Sequence, residues 1–336
     1  MAYTTIKKPS DYFNTVLYTG DATSDRTITN NFATEFLWLK ERNGTDNHQL
    51  WDKVRGDGKR LQSNLTNAES DTGTYIALTS NGFKVDGGTY NNNGSQYAAW
   101  QWLANGTGAS NTDGSITSTV SANTTSGFSI VKWLNTASNP KSIGHGLGVA
   151  PKVLIVKNLN GDAWEVYHES LGNTQRLGLN QTNASSSTSN WNNTSPTSSV
   201  FTWNSGDPQN YITYCFADVQ GFSKFGSYVG NGSSDGSFIY TGFKPAFLLV
   251  KSSSLIKNWY LIDNKRENYN PNHETSILFA NSSNAEQTLS DRAFDFLSNG
   301  FKLRGSDNDV NGSGSTYIYM AFAEEPLVGD NPATAR

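Results

Sequence analysis

Three places in this chain have residue types at a spacing that chemistry could use. Gly232-Ser233-Ser234-Asp235-Gly236 matches G-x-S-x-G, the elbow that raises a nucleophilic serine between a strand and a helix. Here the following residues, Phe238-Ile239-Tyr240, read as strand, and only His273 lies downstream to act as a base. Asp307-Asn308-Asp309-Val310-Asn311-Gly312 offers hard oxygen atoms at alternate positions, as the first half of a calcium loop does. The bidentate glutamate expected at its twelfth position is Ile318, so a hairpin turn is the better reading. Paired carboxylates could cleave a glycosidic bond, and the candidates are Glu324 with Glu325 and Asp291 with Asp295. Neither pair recurs elsewhere in the chain, and both read as solvated charge. His48, His145, His168 and His273 show no metal-ligand spacing.

Binding has a better candidate than catalysis. Trp191 sits in Asn190-Trp191-Asn192-Asn193-Thr194, a polar loop. A loop tryptophan between amides could stack on a sugar or anchor a protein contact, because one rigid ring gives a large contact area. Asn190 and Asn192 would supply hydrogen bonds. The competing reading, which folds Trp191 back on its own module, is the better of the two. The single Cys215 lies in an apolar run and reads as a small buried hydrophobe, not a nucleophile.

The elements that hold these residues come in threes. Asn64-Leu65-Thr66-Asn67-Ala68, Asn180-Gln181-Thr182-Asn183-Ala184 and Asn281-Ser282-Ser283-Asn284-Ala285 are one signature, N-x-[ST]-N-A. Each follows an apolar run ending in lysine (Lys40, Lys157, Lys251) and precedes an aromatic run beginning at Tyr97, Tyr211 or Tyr317. This spacing is too wide for a solenoid unit and fits a small domain used three times. Regular short strands separated by Gly, Asn, Ser and Asp turns predict an all-β fold of three tandem β-sandwich modules, jelly-roll or lectin-like, with almost no helix.

Residues 1–12 read as an N-terminal anchoring segment, 13–106 as the first module and 107–127 as a Ser/Thr/Asn-rich linker. Residues 128–222 and 223–326 are the second and third modules, and 327–336 a C-terminal tail. Within the linker, Ser115 to Val120 could add an edge strand. Each module has enough residues to bury its own core. The closing strands are apolar in both phases, as in Tyr317-Ile318-Tyr319-Met320-Ala321-Phe322-Ala323. They should be covered on both faces, by neighbouring modules or by another chain.

Composition excludes several functions. Net charge is −4 with no basic run, so the clustered cations that drive nucleic-acid binding are absent. No segment approaches the roughly 20 apolar residues of a membrane helix, and nothing near Met1 reads as a signal peptide. No cofactor motif is present.

Four phrases resemble a recurrent β-rich virion structural or tail-fibre module of tailed phages infecting marine bacteria and cyanobacteria. They are the run Tyr214 to Tyr228, Gly242-Phe243-Lys244-Pro245-Ala246-Phe247, Gly144-His145-Gly146-Leu147-Gly148-Val149-Ala150-Pro151-Lys152 and the opening Met1-Ala2-Tyr3-Thr4-Thr5-Ile6. The resemblance covers nearly the whole chain and implies a non-enzymatic virion-surface protein of tail-fibre or spike type that serves host attachment. Its partners would be other virion proteins and a host-surface glycan or protein. Capsid decoration or a head fibre is the alternative, and a host-glycan depolymerase the rival from another class. Because fibres and spikes are closed symmetric oligomers, the expectation is a homo-oligomer, with a trimer favoured. Its interface would involve Tyr317, Tyr319 and Phe322, and Met1 to Tyr12 would anchor it.

Overall fold

The computed structural model describes residues 4–136, 140–205, 208–266 and 274–326. Among them the chain is β throughout, with only three short 3₁₀ turns and no α-helix. Each module is built on one large antiparallel sheet with the same spatial order. An opening strand lies beside the closing strand, then the lysine-ended strand, then its hairpin partner. In module 1 these are Phe13–Thr19, Gln96–Trp102, Phe36–Glu41 and Gln49–Asp52. In module 2 they are Phe128–Leu134, Asn210–Phe216, Val153–Asn158 and Trp164–His168, and in module 3 Ser223–Val229, Thr316–Pro326, Phe243–Ser252 and Trp259–Asp263.

A smaller sheet covers one face of each large one. It contains Arg26–Thr29, Gly82–Val85 and Ile76–Thr79 in module 1, Lys141–Gly144 with Val200–Trp203 in module 2, and Phe238–Tyr240, Gly300–Leu303 and Phe294–Leu297 in module 3. Alternation along a strand sends neighbouring side chains to opposite faces. Leu37 and Leu39 therefore enter module 1's own core, while Phe36 and Trp38 point the other way. Leu154 with Val156 and Leu248 with Val250 repeat the inward pair.

The outward faces of all three large sheets meet in one further core. Trp38, Trp100 and Trp102 from module 1 join Phe128, Ile155 and Phe216 from module 2 and Phe247, Leu249 and Phe322 from module 3. The last aromatics of the three closing strands form a triangle. Ring centroids are 6.4 Å apart for Trp102–Phe216, 5.9 Å for Phe216–Phe322 and 5.7 Å for Trp102–Phe322. The modules thus surround a pseudo-threefold axis with aromatic rings on it. This accounts for the doubly apolar closing strands. Tyr317 and Tyr319 lie in module 3's inner core and Phe322 in the shared one, so the face assigned to an oligomer interface is consumed within the chain.

Two further expectations are corrected. Residues 107–127 are no loose linker. Ala109–Asn111 and Ser118–Asn123 extend module 2's large sheet beside the opening strand. Ile116 makes a parallel bridge to Ile143, with Ser115 N donating to Ser142 O, which covers the small sheet's edge. The described part of the N-terminal segment is docked and not free for anchoring. Ile6 is 1% exposed and belongs to the shared core, and Tyr12 meets Phe222 edge-on at 6.0 Å. An aliphatic residue next to an open aromatic core gains more by burial than by solvation. Residues 1–3 and the tail, 327–336, lie outside the described residues.

Candidate functional site: module junctions and module mouths

The repeated signature is a junction device. Its first asparagine accepts the backbone N–H that opens the hairpin-partner strand: Asn64 from His48, Asn180 from Trp164 and Asn281 from Trp259. This closes each module locally. Five residues after that asparagine, a backbone N–H reaches the next module. Glu69 N donates to Leu159 O at 2.9 Å, Ser185 N to Ser253 O at 2.9 Å and Glu286 N to Arg42 O at 2.7 Å. Each acceptor lies two residues beyond a repeated lysine. Module 1 therefore grips module 2, module 2 grips module 3, and module 3 grips module 1. A head-to-tail contact of this kind closes a ring when the rotation permits, and here one chain closes it.

The lysines explain why the apolar strands end as they do. Lys40, Lys157 and Lys251 are fully buried. Lys157 Nζ donates to the carbonyl of Thr66 and Lys251 Nζ to that of Thr182, each the third residue of the preceding module's signature. Lys40 instead donates to Glu41 O and Gly44 O within its own module. Burial pulls the ammonium pKa down, to about 8 at Lys40 and Lys157 and about 7 at Lys251. The carbonyl cages act in the opposite sense, because an ammonium, with its charge and third N–H, is held by carbonyl oxygens more strongly than a neutral amine.

A second set of buried contacts differs between junctions. Trp100 Nε1 donates to Asp263 Oδ2 at 2.9 Å and Tyr214 Oη to Asp52 Oδ2 at 2.8 Å. Each aspartate also holds an arginine three residues on, Arg266 or Arg55, with both side chains fully buried. Those arginines reach Glu286 and Glu69. Burial alone would raise the Glu286 carboxyl, but Arg42 and Arg266 together outweigh it and hold its pKa low. Module 2 departs from this pattern, with His168 and Leu171 in the aspartate and arginine places. His168 Nδ1 accepts from Ser170 N, which leaves Nε2–H to donate to Tyr319 O at 3.3 Å.

Burial lowers the His168 pKa to about 4. The unfolded chain, near 6.5, takes up the proton first. The stabilisation is therefore complete above pH 6.5 and falls away as pH drops toward 4. By linkage it amounts to roughly 3 kcal/mol. Urea unfolding of wild type and His168→Gln at pH 7 and pH 4.5 should show the wild-type advantage shrinking at the lower pH. A constant difference would rule out a neutral buried imidazole.

The residues singled out in the sequence fall as follows. Trp191 is 1% exposed and belongs to module 2's core, edge-on to Tyr167 at 5.7 Å and Trp203 at 5.4 Å. Its Nε1 donates to Gln175 O at 2.9 Å. The exposed-ring reading is wrong, because a ring this large gains more from the core than a loop position can return. Trp191→Ala should therefore lower stability by about 3–5 kcal/mol, read as a shifted denaturant midpoint. An unchanged midpoint would contradict this placement. Asn192 is exposed at φ +50°, whereas Asn190 is half-buried and lines a cavity described below.

Asn311, inside the calcium-like loop, is buried and donates to Asn231 Oδ1, Ser233 O and Gly305 O. Asn91 clamps Asp21 and Thr23 in the same way in module 1. The loop is a hairpin turn tied by its asparagine. Asp309 is held by Lys257, Arg292 and Tyr260. Glu324 pairs with Lys244 at 2.9 Å and Asp295 with Arg304 at 2.6 Å. Among the described residues no three His, Cys, Asp or Glu side chains gather as metal ligands. Cys215 is buried with its pKa pushed up to about 12 by that burial.

Each module also has a mouth at the turn end of its large sheet, floored by a stacked aromatic pair. Tyr18–Tyr97, Trp133–Tyr211 and Tyr228–Tyr317 stack at 4.7, 4.5 and 5.0 Å. The residue facing the mouth is the second of the hairpin-partner strand in modules 2 and 3 and its counterpart in module 1: Glu165, Tyr260 and Gln49. In module 1 only about 10 Å³ remains beside Gln49, Tyr90 and Tyr97. In module 3 the Tyr260 phenol occupies the place and donates to Asp309. Module 2 keeps a cavity of about 50 Å³ lined by Asp162, Glu165, Asn190, Trp203, Ser205 and Tyr211, among others. Arg176 pairs with one Glu165 oxygen, while Glu165 Oε2 and Trp203 Nε1 are buried without partners. Burial raises the Glu165 pKa to about 7, against the pull of Arg176 and of a hydrogen bond from the Asn190 side chain to the same carboxyl.

One family model, described as a domain of unknown function (DUF7483), matches residues 8–326. The chain belongs to the DUF7483 family. The match runs through all three modules as a single unit, as the closed ring does. No curated protein matches the sequence. Among the described residues of this DUF7483 chain, no helix is long and apolar enough to cross a membrane.

Sequence reasoning found the signature and the lysines but missed Glu165 and the Arg42–Glu286 closure. The ion pair of that closure had no repeated counterpart to reveal it, because Leu159 and Ser253 stand where Arg42 does. Glu165 was visible only as the odd residue beside Gln49 and Tyr260, once the three strands are superposed.

Proposed function

We propose that this chain is a non-enzymatic surface protein of a phage particle, of tail-fibre or spike type, used in host attachment. The observation that carries the reading is the ring itself. Three sandwiches share one core and grip each other in a cycle, which yields a cohesive body that presents three sets of loops outward. The phage-like phrases noted in the sequence supply the particle. A display body of this kind has its large sheets committed to packing, and of the acidic side chains considered for glycoside cleavage Glu324, Asp291 and Asp295 are each tied to a cation. Immunogold labelling of purified virions tests the proposal, and absence from the particle would end it.

Capsid decoration is the second reading, favoured by one observation. The apolar faces that suggested a homotrimer are already covered inside the chain, so a single copy needs no further copies to be complete. Light scattering should find a monomer at micromolar concentration. A stable trimer would return the balance to a fibre.

A further inference from the structure

The mouth of module 2 differs from its two counterparts in one respect: it is not filled by its own chain. Module 3 shows what the place accommodates, an aromatic ring carrying a hydroxyl that donates to a carboxylate, Tyr260 to Asp309. Module 2 has Glu165 where that ring begins, and the space stays open beside the stacked Trp133–Tyr211 pair. Two hydrogen-bonding atoms remain unpaired there. Trp203, 2% exposed, has a free Nε1 donor, and Glu165 Oε2 is a free acceptor. A buried polar atom without a partner has lost its solvation and gained nothing in return, so a group that both accepts and donates would relieve two costs at once. A hydroxyl is the smallest group that does both.

We propose that the module 2 mouth binds a neutral hydroxylated ligand, a sugar, by taking one hydroxyl or hydroxymethyl group between Trp203 Nε1 and Glu165 Oε2. A space of about 50 Å³ admits such a group but not a whole ring, so the rest of the sugar lies at the rim, near Asn190 and Ser205. The ammonium of Lys157 donates to the backbone carbonyl of Asp162, and the guanidinium of Arg176 pairs with Glu165. These two cations disfavour a metal cation in the same place. Protonation supports the choice, since a carboxyl poised near neutrality can serve as acceptor or donor. The site stands on its own geometry and not on the virion reading, because a sugar site would suit an attachment protein and an unrelated lectin alike.

The test is an NMR titration of the full chain with methyl α-glucoside, methyl α-mannoside and methyl β-galactoside, following the tryptophan indole N–H signals. The Trp203 signal is assigned with Trp203→Phe. At least one glycoside should shift that signal saturably and leave those of Trp51 and Trp259 in place. Glu165→Tyr, which installs the ring of module 3, should weaken binding at least about tenfold while the melting temperature is kept. Asn190→Ala, at the rim, should weaken it less and guards against a folding defect in the first variant. If no glycoside moves the Trp203 signal, the mouth holds only water and the proposal is overturned. It is equally overturned if Glu165→Tyr binds as wild type does.

Discussion

Asp263→Ala will lose about 3–5 kcal/mol of stability, the cost of leaving a buried charge without its partner. Asp263 Oδ2 accepts from Arg266 Nε at 2.6 Å and from Trp100 Nε1 of module 1 at 2.9 Å. Its Oδ1 takes the backbone N–H of Lys265 and Arg266 at 3.0 Å each. Removal leaves a fully buried guanidinium with Glu286, the Leu261 carbonyl and the face of Trp100, and it frees an indole donor across the module 3–module 1 junction. Module 2 supplies the control, because His168 and Leu171 do the same structural job there without an ion pair. The double variant Asp263→His with Arg266→Leu should recover more than half of the loss, since no unpaired charge remains. Guanidinium unfolding of the three proteins decides the matter. A double variant as weak as the single one would show that the pair, not the unpaired charge, sets the stability.

The second large effect concerns the modules as units. Residues 107–222 expressed alone, with the two strands that extend the large sheet kept, should fail to fold cooperatively, although this length is ample for a sandwich. Phe128, Ile130, Val153, Ile155, Trp164, Val166, Tyr214 and Phe216 would turn from the shared core to water. Each such side chain contributes about 1.5–3 kcal/mol when buried, and together the eight match or exceed the whole stability of an ordinary domain, about 5–15 kcal/mol. The excised module should bind a hydrophobic dye and aggregate, with weak near-ultraviolet circular dichroism. Cooperative unfolding of a soluble monomer would show instead that the inner core, around Trp133, Trp191 and Phe201, suffices.

Much of this was legible from residues alone because local rules set it. Strand alternation, turn residues and a signature written three times fix an all-β chain of three like modules. The doubly apolar closing strands announced a second covered face, and Cys215 in its apolar run announced burial. Those signals depend only on neighbours within a strand or a hairpin. What covers the second face is a different kind of question. An apolar surface is satisfied by any complementary apolar surface, so the strand pattern is the same for a trimer of chains and for a trimer of modules. Only the closure of the cycle through Glu286 and Arg42 decides between them.

Trp191 and Glu165 show the same division. A tryptophan among asparagines looks exposed by its sequence neighbours, yet its surroundings are Tyr167 and Trp203, brought from other strands. Glu165 alternates with apolar residues as any outward residue would. The partial burial that lifts its pKa and leaves one oxygen unpaired comes from the mouth that Trp203, Asn190 and Tyr211 build around it. Composition and periodicity describe what each strand offers to its two faces. Which chemistry meets across a space is decided by residues far apart in sequence, and only the packed chain places them.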